Sequence, residues 1–234
     1  YIEAGTLDLG LTGHDWVTEN ESDVVVVEDL VYSKVLAKPA RWVLVVREDS
    51  PVTKIEDLQG KKISTELVNF TKRYFKERNI DVKVEFSWGA TEAKVVESLV
   101  DAIVEVTETG STIKANRLRI VHELMRTNTQ LIANREAWDD PWKRRKIEQF
   151  RTMLKGSLLG MGKVVIKMNV SKENLGRVIL LLPSLKAPTI SNLYNEEWFA
   201  VETVVDSNVI RDLVPLLQEA GAEGIIEYAL NKVV

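Results

Sequence analysis

Within eight positions the chain gathers two carboxylates, four hydroxyls and a glycine, among them Glu105, Thr107, Thr109, Gly110, Ser111 and Thr112. They follow an apolar run, Ala102-Ile103-Val104, and precede a helix-like segment. A strand turning into a helix through such a loop presents backbone N–H groups, which favour an anion. Gly110 lets the backbone approach a phosphate closely, and the hydroxyls add donors. Glu105 cannot help to bind phosphate, but it can accept hydrogen bonds from sugar hydroxyls nearby. Phosphate donors beside a hydroxyl acceptor suit a sugar 5-phosphate. The string is neither a Walker A loop nor G-x-G-x-x-G. Ser and Thr also cap helices routinely, so on spacing alone an ordinary strand–turn–helix corner fits equally well.

The elements that must hold this loop alternate. "DVVVVEDL", "RWVLVVRED", "VKVEFSW" and "DAIVEV" read as strands. Asn69–Asn79, with Phe70, Tyr74 and Phe75, and "TEAKVVESLV" read as helices. "TLDLGLTGHDWV" reads as a short strand ending at Thr12-Gly13, with His14-Asp15 capping a helix. Strand–helix alternation predicts an α/β fold with a largely parallel sheet. "DDPWKRRKIEQFRTMLKG" predicts a helix from Pro141 to Gly156, its basic run a solvated face. Beyond Gly160 the order becomes β-α-β-β-α-β, the ferredoxin-like order, with a helix capped by Ser171.

The 234 residues carry a net charge of −4, with 45% hydrophobic and 28% charged residues. That is a soluble profile with a real core, and it gives no reason to invoke nucleic acid or anionic membrane. The absence of cysteine excludes disulfides, thiolate metal sites and a cysteine nucleophile. No apolar run reaches the ~18 residues of a membrane span. The chain opens at Tyr1 in mid-element, which predicts missing N-terminal residues.

The string acid-x-x-x-Thr-Gly-x-Thr from Glu105 to Thr112 resembles the phosphoribosyl-diphosphate (PRPP) loop of phosphoribosyltransferases. The wider "EAKVVESLVDAIVEVTETGSTIKANRLR" resembles the signature of ATP phosphoribosyltransferase. "LDLGLTGHDW", "LIAN" (Leu131–Asn134) and "MNVSKENLGRVILLLPSLKAPTISNL" are similar to that family's blocks in the same order, the last to the regulatory domain of its long, hexameric form. Ser98 and Val100 depart from the family's usual small residues, and Glu105 stands where Asp is usual.

The resemblance implies a two-lobed catalytic part, like type II periplasmic binding proteins, plus a C-terminal ferredoxin-like domain. Lobe I would hold residues 1–36 and 118–157, lobe II 37–117, and the regulatory domain 161–234. The implied reaction joins ATP to PRPP, giving phosphoribosyl-ATP and pyrophosphate, the first step of histidine biosynthesis. Glu105 would be the catalytic carboxylate, holding ribose hydroxyls; Thr107, Thr109, Gly110, Ser111 and Thr112 would bind PRPP. Gly13 and Asp15 would face the nucleotide, with Asp15 more suited to helix capping. Ala187, Thr189 and Ser191 would line a pocket for L-histidine as inhibitor. Mg²⁺ would come with the substrate, since no cluster has metal-ligand spacing. A cytoplasmic homo-oligomer, from dimer to hexamer, is implied, without nucleic-acid or membrane partners. His14 is read as cleft-lining, His122 as a surface or packing residue, Glu92 and Glu97 as helix-face residues, and Trp42, Trp88 and Trp198 as core or interface. The alternative is a two-lobed, non-catalytic small-molecule binding or sensor protein, which has no need of the Thr-rich loop.

Overall fold

A computed structural model describes residues 1–31, 39–183 and 187–234. Contacts divide the chain into two units, Tyr1–Arg151 and Thr152–Val234.

The first unit holds two sheets. In the smaller, β1 (Leu9–Gly13) and β2 (Val25–Leu30) flank β8 (Thr129–Ala133), and both pair with it antiparallel. The larger has the order β5 (Lys83–Phe86), β4 (Lys62–Thr65), β6 (Ala102–Thr107), β3 (Ala40–Arg47), β7 (Leu118–Thr127). β4 runs parallel to β5 and β6, whereas β3 is antiparallel to β6 and β7. The expectation of a largely parallel sheet is corrected here. Strands joined through an α-helix are parallel to one another, as the alternation rule requires. β3 and β8 instead arrive from the other sheet, and each fills an inner position antiparallel. A second correction concerns lobe membership. The strand 118–127, assigned to lobe I, pairs with β3 in the larger sheet, and Asn128 alone separates it from β8. The expected change of lobe at 36/37 lies outside the described residues.

β3 explains the core. Its run Trp42-Val43-Leu44-Val45-Val46 is buried on both faces. Trp42, Leu44 and Val46 pack with Leu67, Tyr74 and Phe75 around α2 (Val68–Lys76). Val43 and Val45 pack with Ile103, Val95 of α3 (Thr91–Val96) and Ile113 of α4 (Ser111–Ala115). Each such side chain contributes roughly 1.5–3 kcal/mol by leaving water, which makes β3 the spine of the larger sheet. His122 packs here as well, its Nε2 2.7 Å from the Tyr74 hydroxyl. Trp88, read as core or interface, lies beyond β5 and is 80% exposed. The remaining helices of this unit are α1 (His14–Asn20), α5 (Arg135–Asp139) and the start of α6 (Pro141–Gly160).

α6 does not stop at Gly156 as its glycine suggested. A Cβ there would meet Val234 Cγ2 at 2.7 Å, and one on Gly160 would meet Lys232 Cα at 2.8 Å. These glycines admit the C-terminal residues against the helix, and Val233 N–H donates to the Gly156 carbonyl at 2.8 Å. Gly162, with φ +76°, makes the turn that follows.

In the second unit β9 (Lys163–Ser171), α7 (Leu175–Leu181), β10 (Thr189–Asn192), β11 (Trp198–Asp206), α8 (Ile210–Glu219) and β12 (Ala222–Ala229) follow the expected order. The sheet order is β10-β11-β9-β12, all antiparallel, which is the ferredoxin-like arrangement. Ile166, Met168 and Val170 of β9 pack with Val178 of α7 and Leu213 and Leu217 of α8. Ser171 ends β9 and caps nothing; α7 begins after Asn174, without a side-chain cap.

Candidate active site

The parallel strands β4, β5 and β6 deliver their C-terminal ends to one edge of the larger sheet, the edge at which open α/β sheets bind ligands. Glu66 follows β4, residues 87–90 connect β5 to α3, Thr91 and Glu92 open α3, and Glu105 lies near the end of β6. Burial pushes the Glu105 carboxyl up from 4.5 to about 7. The charges of Glu92 and Glu66 push the same way; the Val106 N–H and the Thr91 hydroxyl oppose them. Glu66 is also raised, first by burial and then by Asp15. Ser87 and Thr91 are buried with their hydroxyl oxygens 3.2 Å apart, which holds the connecting loop beside Glu105. Glu66 and Thr91 escaped the sequence reading; Glu92 stands in the first turn of α3, on a helix as expected, and its charge reaches Glu105 from there. The signal for Glu66 is its position just past the end of β4.

The hydroxyl loop is folded on itself. Thr107 Oγ1 accepts the Gly110 N–H at 2.8 Å, and Thr109 Oγ1 accepts the Ser111 N–H at 3.3 Å, with Ser111 Oγ 3.0 Å away. Gly110 has φ +77°. A Cβ there would only touch Ile120 Cδ1 at 3.6 Å, so backbone conformation, and not space, demands glycine. Because Thr107 accepts an amide bond, its hydroxyl hydrogen remains available to donate, whereas Thr109 and Ser111 share one hydrogen bond between their hydroxyls. Thr109, Ser111 and Thr112 are exposed. α4 is only five residues long, little more than one turn, so anion affinity rests on the loop's own donors and not on a long helix dipole.

A cavity of about 280 Å³ lies between the two sheets. Gly13, Asp15 and Trp16 line it from one side, Ala40, Val106 and Glu108 from the other, and Thr127, Asn128 and Thr129 at the crossing. It brings Gly13 and Asp15 to the root of the hydroxyl loop; Glu105 and Thr109 to Thr112 are not among its walls. Asp15 is only 7% exposed, and both carboxylate oxygens are engaged. Oδ1 accepts the Trp16 N–H at 3.0 Å, and Oδ2 accepts the Trp42 indole N–H at 2.7 Å. Gly13 is the residue at the helix cap, so Asp15 serves from inside the first turn and not as the cap expected of it. A Cβ on Gly13 would lie 1.9 Å from Asp15 Oδ1, so the glycine clears the space the carboxylate occupies. His14 is half-buried; its N–H donates to the Asn128 carbonyl at 2.9 Å.

In the second unit Thr189 and Ser191 stand on β10, the outermost strand, and are exposed opposite Glu202 and Ala200 of β11; Ala187 precedes the strand. Residues 184–186, expected to border the same pocket, lie outside the described residues. Among the described residues no three His, Asp or Glu side chains converge as metal ligands, and no helix is long and apolar enough to cross a membrane.

Comparison with known proteins gives a consistent result. A family model described as "ATP phosphoribosyltransferase" matches residues 1–156, and one described as "HisG, C-terminal domain" matches 161–232. An ATP phosphoribosyltransferase of Solidesulfovibrio magneticus is 65% identical over 234 residues, covering 100% of this chain and 80% of that protein. One from Desulfatibacillum aliphaticivorans is 66% identical over 233 residues, with the same coverage of each. Among solved structures, the ATP phosphoribosyl transferase (HisG:HisZ) complex from Thermotoga maritima is similar at a TM-score of 0.57 and 27% identity, over 66% of this chain and 71% of that one.

Proposed function

This chain belongs to the ATP phosphoribosyltransferase family, and from that premise we infer how its residues divide the work. The enzyme condenses ATP with PRPP to phosphoribosyl-ATP and pyrophosphate, the first step of histidine biosynthesis. The non-catalytic alternative is not favoured by relatives that carry the enzyme's name along the entire chain. Adenine N1 attacks C1 of PRPP, the bond from C1 to the diphosphate breaks, and the diphosphate takes its electrons away. Adenine N1 already holds a lone pair, so no general base is required. The protein's part is positioning and charge stabilisation.

The backbone of Thr109 to Thr112 holds the 5-phosphate, the Gly110 and Ser111 N–H groups exchanging their Thr107 and Thr109 hydroxyl partners for it, assisted by the Thr107 and Thr112 hydroxyls. Glu105 accepts hydrogen bonds from the ribose hydroxyls and offsets positive charge developing on the ring. The nucleotide enters from the Gly13 side, where Asp15 acts by holding Trp42 and the first turn of α1. The ion is Mg²⁺, carried by the substrate phosphates as part of the substrate, since Mg²⁺ prefers phosphate oxygens and water to an all-protein cage. The observation that carries this reading is the self-bonded loop after Glu105, which sets the exposed hydroxyls of Thr109, Ser111 and Thr112 at the open edge of the sheet. L-Histidine is the inhibitor, received at the β10 edge by Ala187, Thr189 and Ser191, within a homo-oligomer that this unit helps to build.

Gly110→Val tests the loop. A β-branched residue at φ +77° strains the backbone by about 1–2 kcal/mol, while its Cβ would make only an ordinary contact with Ile120 at 3.6 Å, which leaves the fold intact. PRPP binding measured by calorimetry should vanish with circular dichroism unchanged. A folded variant that binds PRPP normally refutes the loop assignment.

A further inference from the structure

The sequence places α1 with the smaller sheet, because it follows β1 directly. Its two carboxylates reach the larger one. Asp15 and Glu19 are four residues apart, hence stacked on one face of the helix. Asp15 accepts the indole of Trp42 on β3. Glu19 is only 6% exposed, and its two oxygens accept the Asn69 and Phe70 N–H groups at 2.9 and 2.8 Å, in the first turn of α2. α2 has no side-chain cap from its own start, so Glu19 supplies one from across the cleft. A return contact closes the arrangement. Arg73 of α2 donates to the Thr18 carbonyl near the end of α1, and its guanidinium lies 3.5 Å from Glu21. A negative group thus sits at the N-terminus of α2 and a positive one at the C-terminus of α1, each the favourable sign for its helix end. Both helices start at the cleft, α1 at Gly13 and α2 just after Glu66.

We propose that Glu19, secured by Arg73, is a positioning residue: a latch between the two lobes that fixes the face carrying Gly13 and Asp15 against the edge carrying Glu66 and Glu105. The proposal rests on the cleft being the substrate site. Two amides on one carboxylate can be satisfied at only one relative placement of α1 and α2. Without the latch the binding-competent arrangement is a fraction of the population, and apparent affinity falls by that fraction. Bound substrates then hold the lobes together themselves, so the chemical step is spared.

The test uses the full-length enzyme. Glu19→Ala should raise KM for ATP and PRPP by about tenfold or more, with kcat at saturation within about twofold. Glu19→Gln, which keeps one acceptor oxygen, should fall between Ala and wild type. Arg73→Met leaves Glu19 in place. In it, hydrogen exchange of the Asn69 and Phe70 amides should quicken in the free enzyme and slow again when both substrates are added. A local cap without a latching role would give unchanged KM, or amides that ignore the substrates, and either result overturns the proposal. If Glu19→Ala fails to fold, Glu19→Gln and Arg73→Met carry the test. A wild-type enzyme that releases no pyrophosphate from ATP and PRPP would overturn the reading of the cleft instead, while the exchange of these amides without substrate still tests the contact.

Discussion

Replacing Glu105 by Gln isolates the cost of keeping a carboxylate where burial and two neighbouring carboxylates oppose its charge. A rise from 4.5 to about 7 corresponds to about 3 kcal/mol against the ionised form, at ~1.36 kcal/mol per tenfold. The side chain is only half-buried, so solvent screening reduces this to about 1–2 kcal/mol. The folded-state pKa is the higher one. Glu105 therefore contributes its stability in full below the ordinary carboxylate range and loses it as pH rises through about 7. Wild type should weaken between pH 5 and pH 8, whereas Gln, which never ionises, should not. In thermal melts the variant should match wild type at pH 5 and exceed it by roughly 2–6 °C at pH 8. The same group shapes the kinetics. If the ionised carboxylate receives the ribose hydroxyls, kcat/KM for pyrophosphate release should climb with pH through about 7. The corresponding limb of kcat reports the same carboxyl with both substrates bound. A melting difference that is the same at both pH values, with a flat kcat/KM between pH 6 and 8, would refute this account of Glu105.

Two further outcomes follow from the geometry. Gly13→Ala places a methyl group 1.9 Å from Asp15 Oδ1, so Asp15 must leave Trp42, at about 1–3 kcal/mol for the orphaned indole donor; a Gly13→Ala protein with wild-type stability and ATP affinity would show that the contact is dispensable. For the second unit, calorimetry should detect L-histidine binding to the intact protein and its weakening by about tenfold in a Thr189→Val, Ser191→Ala variant, about 1.4 kcal/mol of lost polar contact; equal heats in the two proteins would move the inhibitor away from β10.

Local pattern made much of this molecule legible. β-Branched runs revealed β2, β3 and β6, and the order of elements after Gly160 gave the ferredoxin-like unit whose strand order the structure displays. The hydroxyl loop was visible because its chemistry is contiguous. What escaped depends on partners distant in the chain. Periodicity reports that a strand is buried, not which neighbour it pairs with, so the inner antiparallel places of β3 and β8 were hidden. Asp15 meets Trp42 across 27 residues and Glu19 meets Asn69 across 50, so neither carboxylate announced its role. Gly156 looked like a helix stop because a stop and a close approach by another segment demand the same residue.

β7 and β8 have one residue, Asn128, between them. β7 is registered against β3 in one sheet, and β8 against both β1 and β2 in the other. The Asn128 side chain is tied down as well, donating to Asp29 at 3.0 Å. Two sheets joined in this way are geared together. There is no slack loop at the crossing, the pairings of β7 and β2 already carry bulges, and outside a bulge side chains alternate faces along a strand. One residue inserted at this crossing and not taken up as a further bulge would turn the whole of β8 over, exchanging the sides of Gln130 and Leu131 and dismantling both pairings of the smaller sheet at once. Insertions in this chain are therefore better tolerated in its turns than at the short crossing that sets the phase of one lobe against the other.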